Sequence, residues 1–142
     1  MRDTLGSSMS ARFVFPPLSD VGFVDDPPVV AFCNGLLTDA LKRGYGHLHV
    51  RAPRAGSESF DVRAQKDGEW SQYMELPSAM HNTVLRRFKV MAGIDLVRST
   101  SGLGTITVGR ADNGPLALHV TIQLSDGAEE VLIDLPVLTG PP

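Results

Sequence analysis

Three turns, Lys66-Asp67-Gly68, Asp112-Asn113-Gly114 and Ser125-Asp126-Gly127, decide most of what this chain can fold into. Each joins an Asp or Asn, which tolerates left-handed backbone, to a Gly that adopts it without steric cost, as a tight hairpin requires. The first separates apolar-alternating segments at 59–65 and 69–74. The second separates 104–109 from 116–123, and the third leads into 128–135. A further strand is predicted at 47–51, and Arg12-Phe13-Val14-Phe15 reads as a short edge strand stopped by Pro16-Pro17. Connections this short leave no room for helical crossovers, so the sheet is expected to be mainly antiparallel.

Two helices interrupt the strands. In the first, Val29, Cys33, Leu36, Leu37, Ala40 and Leu41 recur at helical spacing behind Asp26 and Pro27-Pro28, and Lys42-Arg43-Gly44 closes it. Gly35 inside this helix costs about 1 kcal/mol against alanine. In the second, Met80, Val84, Leu85, Phe88 and Met91 form one stripe over about 78–92, and Gly93 stands where a helix end takes a left-handed residue. The expected class is α+β, two main helices on one face of a mainly antiparallel sheet, in the order α-β-β-β-α-β-β-β.

At 142 residues the chain is expected to form one domain, 27–136, behind a flexible segment and linker at 1–26 and ahead of a tail at 137–142. The net charge of −3 gives no reason to expect nucleic acid or an anionic membrane as partner. A single cysteine, Cys33, excludes an internal disulfide and fits a reducing compartment. With no long apolar run and no leader-like start, the expectation is a cytoplasmic protein without membrane insertion.

Blocks in a fixed order resemble a known family. They are the helix from Asn34 to Gly44, then Gly46-His47-Leu48-His49-Val50, Asp67-Gly68, Leu76-Pro77 and Lys89-Val90-Met91-Ala92-Gly93-Ile94-Asp95. Together, over about 27–135, they resemble the second N-terminal domain of the traffic ATPases of type II secretion and type IV pilus assembly. In that family the Leu-Pro opens the second helix, and arginines of this domain help hold the nucleotide bound by a catalytic domain that follows it. The chain departs from the pattern where those arginines stand. The arginine-rich run becomes Arg98-Ser99-Thr100-Ser101-Gly102-Leu103-Gly104, His119 and Asp134 occupy usual arginine positions, and Gln65 replaces the companion of Arg63. His47 stands where aspartate is usual, while His49 matches.

Candidate chemistry is sparse. His47 and His49 alternate on one strand face and so could share a metal, but no third ligand is at suitable spacing. No Gly-x-Ser-x-Gly elbow is present, and Cys33 falls within an apolar stripe. No Gly-x-x-x-x-Gly-Lys-Ser/Thr loop exists to cradle phosphates, and the missing guanidiniums are donors that His or Lys does not replace. No catalytic residue, cofactor or metal is therefore assigned.

The resemblance implies a stand-alone, degenerate, non-catalytic relative of the motor domain. In the motors this domain packs on a neighbouring subunit's catalytic domain. The expected partner is accordingly a secretion or pilus motor ATPase or an associated component, which the chain would modulate, with homo-oligomers also possible. Arg86, Arg87 and Lys89, with Arg98 close after, are the candidate partner-binding patch; the alternative for the helix cations is a solvated face matched to the helix dipole. Two further readings stay open: a small-ligand sensory domain, or the N-terminal part of a longer motor ATPase.

Overall fold

The computed structural model describes residues 13–15, 27–94, 102–110 and 114–138. They form β1 (Phe13–Val14), α1 (Pro27–Arg43), β2 (His47–Val50), β3 (Ser59–Lys66), β4 (Glu69–Pro77), a 3-10 turn (Ser78–Met80), α2 (His81–Met91), β5 (Gly102–Arg110), β6 (Leu116–Ser125) and β7 (Ala128–Asp134). Seven strands make one sheet in the order β1-β5-β6-β7-β2-β3-β4, and every neighbouring pair is antiparallel. The predicted α+β class and element order hold, with β1 as an added edge strand.

Local chemistry explains the turns. Asp67 and Gly68 have φ of 55° and 82°, and Asp126 and Gly127 have 53° and 82°. Two consecutive positive φ values make the type I′ turn whose twist matches the flanking strands. That closes Lys66 onto Glu69 and Ser125 onto Ala128. The Asp112-Asn113 part of the remaining turn lies outside the described residues.

Alternation along the strands splits the sheet into two unlike faces. Leu48, Val50, Val62, Ala64, Ile106, Val108, Leu118, Val131 and Ile133 are fully buried on one side. The two helices pack there, with Val29, Cys33, Leu36, Leu37, Ala40 and Leu41 from α1 and Val84, Leu85, Phe88 and Met91 from α2 buried in the same core. Burial pushes the Cys33 thiol up to about 12 despite the opposing field of Arg87, which keeps it a neutral core group.

One detail differs from expectation. β4 runs on through Leu76-Pro77, past the predicted end at 74: Pro77, at φ −59° and ψ 138°, is extended and caps the 3-10 turn that leads straight into α2. Pro77 stands opposite Ser59 at the end of an edge strand, where a missing N–H can point away from the ladder.

The end of α2 is pressed onto β5. The Ala92 carbonyl accepts from the Thr105 N–H at 3.3 Å, and Gly93 turns the chain with φ 74°. A methyl group on Gly104 would lie 2.5 Å from the Ala92 oxygen and 2.9 Å from both Ala92 Cβ and Ile94 Cγ1. Because the nearest obstacle is backbone, relief requires the helix end to lift. Gly104→Ala is therefore expected to cost about 1–3 kcal/mol in urea unfolding. A loss below about 0.5 kcal/mol would mean that the helix end moves away freely.

Candidate interaction face

The face of the sheet opposite the helices carries the polar residues of the alternating strands. Its centre is a row that crosses four adjacent strands: Gln65 on β3 pairs with His47 on β2, His47 with Asp134 on β7, and Asp134 with His119 on β6. Each of the four is a position at which the sequence departs from the pattern of the family it resembles. Residues 65, 47, 134 and 119 come from separate segments, and only the sheet register brings them together.

Two carboxylate–imidazole pairs hold the face. His47 Nδ1 lies 2.8 Å from Asp134 Oδ1, with both side chains about half exposed. An ion pair so open to water contributes only about 0–1 kcal/mol. Relative to the aspartate at 47 and arginine at 134 expected from the resemblance, the acid here stands on β7 and the nitrogen base on β2. His49 Nε2 lies 2.8 Å from Glu130 Oε1, and the Ala52 N–H donates to Glu130 Oε2 at 2.9 Å. Burial raises the Glu130 pKa, but the Ala52 amide and His49 outweigh it and hold the carboxyl below its ordinary value.

Trp70 at the β4 edge sets its ring 6.2 Å from each of His47 and His49 and remains 39% exposed. Around Leu103, Thr105, His119, Thr121 and Asp134 the face dips into a concavity of about 440 Å³. Among the described residues, no group of three or more His, Cys, Asp or Glu is placed to hold a metal ion. Instead, the two imidazoles on β2 each take a carboxylate from β7.

The cations of α2 are placed differently from the patch drawn in the sequence. Arg86 is exposed, but Arg87 is fully buried and Lys89 is 6% exposed. Lys89 Nζ bonds both oxygens of Glu129 at 2.8 Å. The solvated-face reading consequently holds for Arg86 alone. The physical reason is the width of the buried arc: α2 packs against α1 as well as β5 and β7, so positions 87 and 89, flanking the stripe at 84, 85 and 88, are covered too. Arg98 lies outside the described residues.

His81, which no sequence signal singled out, opens α2 with its ring edge-on to Phe60 at 4.9 Å and is 7% exposed. Burial lowers its pKa below the ordinary 6.5, only partly opposed by Glu130 and the hydrogen bond to the Arg51 backbone. A depressed folded-state value means that the unfolded chain binds the proton more readily. Stability from this site is thus complete above pH 6.5 and falls as pH drops through the folded value. Urea unfolding at a series of pH values is expected to show this loss in the parent and a flatter profile in His81→Gln. Equal slopes would assign the acid sensitivity elsewhere.

No family model matches the chain. Over 72 residues, 51% of the chain, it is 35% identical to the type IV pilus assembly ATPase PilB of Myxococcus xanthus. Against PilB of Pseudomonas aeruginosa the identity over 72 residues is 36%. The aligned stretch covers 12% of each relative, so the chain matches about one eighth of the length of these ATPases. The resemblance to the N-terminal domain of the traffic ATPases read from the motifs holds, and both of these relatives are type IV pilus assembly ATPases. No helix among the described residues is long and apolar enough to cross a membrane.

Proposed function

We propose that this chain is a non-catalytic protein-interaction module, built on a pilus-ATPase-like domain, that binds a component of a type IV pilus or type II secretion machine in the cytoplasm and modulates it. The observation that carries this reading is the row Gln65, His47, Asp134 and His119 on the uncovered sheet face. Of the two strand positions where the resemblance calls for arginine, 134 carries an acid paired with His47 and 119 carries an imidazole, while the core beneath them is intact. Fixed phosphate donors are lost and a broad polar surface is kept, a combination suited to a protein partner. The partner is a type IV pilus assembly ATPase, or a protein bound to one.

Capture experiments with purified type IV pilus assembly ATPase and with lysate of the native host test the partner. Recovery of a pilus or secretion component is expected, and recovery of none overturns the reading. The absence of catalysis has its own measurement. Calorimetric titration with ATP and magnesium is expected to show no binding tighter than about 100 μM, or roughly 5.5 kcal/mol. Tighter binding would falsify the non-nucleotide assignment.

A further inference from the structure

The sheet has two edges, and the chain treats them differently. At β5, Gly109 and Arg110 are covered by β1, and the Thr105 N–H is taken by the end of α2. At the other edge β4 runs nine residues, Glu69–Pro77, paired with β3 alone. Among the described residues, no hydrogen bond reaches its outer side.

The phase of the ladder shows which groups are offered there. The Arg51 N–H donates to the Asp61 carbonyl at 3.0 Å, which turns the backbone groups of Asp61, Arg63 and Gln65 towards β2. Ala64 and Lys66 therefore face β4 and close onto Ser71 and Glu69. Between and beyond these, Trp70 and Gln72 point N–H and C=O outward, the i, i+2 pair that an added strand uses. The register shift opposite Val62 and Arg63 ends this flat run just after Gln72.

Side chains define the occupant. Sheet edges are usually guarded by lysine or by proline within the strand, whereas β4 has no cation and its proline stands last. Glu69 and Glu75 lie towards its two ends, with Glu58 exposed beside its close. Of the cations beside it, Lys66 is held by the Arg43 carbonyl at 2.8 Å and Arg51 pairs with Asp61 at 3.8 Å, while Arg63 stands on β3 opposite Gln72 and Arg54 shares a recess with Glu75. Trp70 is the exposed large apolar side chain of this strand, its ring leaning across β3 towards His47 and His49.

We propose that the outer edge of β4 receives an extended, basic segment of a partner protein by strand addition. Main-chain bonds to Trp70 and Gln72 supply the pairing, the glutamates select cations, and Trp70 selects an apolar residue between them. This deepens the interaction reading and rests on it for the kind of partner.

The test titrates the full chain with a capped peptide of the length of β4 that alternates valine and threonine and has a lysine near each end. A twin with glutamates and a twin N-methylated at alternate residues serve as comparisons. The lysine peptide is expected to slow amide exchange at Trp70 and Gln72, and the glutamate twin to bind at least about tenfold more weakly. Gln72→Pro, which deletes an outward amide the ladder does not use, and the N-methylated twin should each abolish binding. Glu69→Lys with Glu75→Lys should reverse the preference between the charged peptides. No binding up to millimolar peptide, or binding indifferent to both N-methylation and Gln72→Pro, overturns the proposal. A concentration-dependent dimer of the chain alone, lost in Gln72→Pro, would assign the edge to a second copy and equally overturn it. Peptide binding without capture of any pilus or secretion component would sink the machine assignment and leave the edge in place.

Discussion

Phe88→Ala is expected to destabilise the protein by about 3–5 kcal/mol, a large share of the roughly 5–15 kcal/mol that holds a domain folded. Phe88 is fully buried in α2, on the stripe that runs through Val84, Leu85 and Met91, and it belongs to the core shared by both helices and the sheet. Truncation removes the transfer energy of the ring and leaves a void that the sheet beneath cannot fill without losing strand register. Phe88→Leu retains most of the volume and should cost about 1.5 kcal/mol or less. Urea midpoints with unchanged slopes measure both. A loss under about 1 kcal/mol for the alanine variant would mean that the helix buries a different face from the one described.

That prediction rests on a part of the fold legible from sequence, because helix stripes and hairpins are local patterns. The α1 stripe from Val29 to Leu41 is buried residue for residue, and the two-residue turns at Asp67-Gly68 and Asp126-Gly127 adopt the conformations their side chains favour. What sequence reasoning missed depends on long-range pairing. β2 lies between β3 and β7, so His47 meets Asp134 and His49 meets Glu130 across separations of 87 and 81 residues. No spacing rule reaches that far. The departures were visible one at a time as His47, Gln65, His119 and Asp134, and only the register makes them a single row. Gly104 is similar: the pattern puts it at the start of a strand, and only the fold shows that it lets the end of α2 touch that strand.

The helix cations were misplaced for another reason. An amphipathic pattern locates the centre of a buried stripe but leaves its width to the neighbours, and α2 touches a helix as well as the sheet. A charged residue at the flank can then be covered if its head finds a partner, as Lys89 does.

Lys89→Glu is accordingly expected to destabilise the protein by about 3 kcal/mol or more. Lys89 and Glu129 have side chains 7% and 27% exposed, and the ammonium lies 2.8 Å from both carboxylate oxygens. Reversal sets two carboxylates together where one is almost sealed from water. The partial exposure of Glu129 allows it to turn outward, which holds the cost to the lower end of the range for a broken buried pair. Lys89→Met keeps the packing of the stem and leaves Glu129 free to hydrate, so a loss below about 1.5 kcal/mol is expected. The exchanged pair, Lys89→Glu with Glu129→Lys, should recover more than half of what the single reversal loses. Arg86→Glu, on the exposed side of the same helix, should stay within about 0.5 kcal/mol of the parent. Thermal and urea unfolding of the four variants measure the set, and a Lys89→Glu protein as stable as the parent would place this lysine at the surface after all. If the ordering holds, loss of a partner in Lys89→Glu reports on folding, and Arg86 is the α2 cation whose reversal reports on docking.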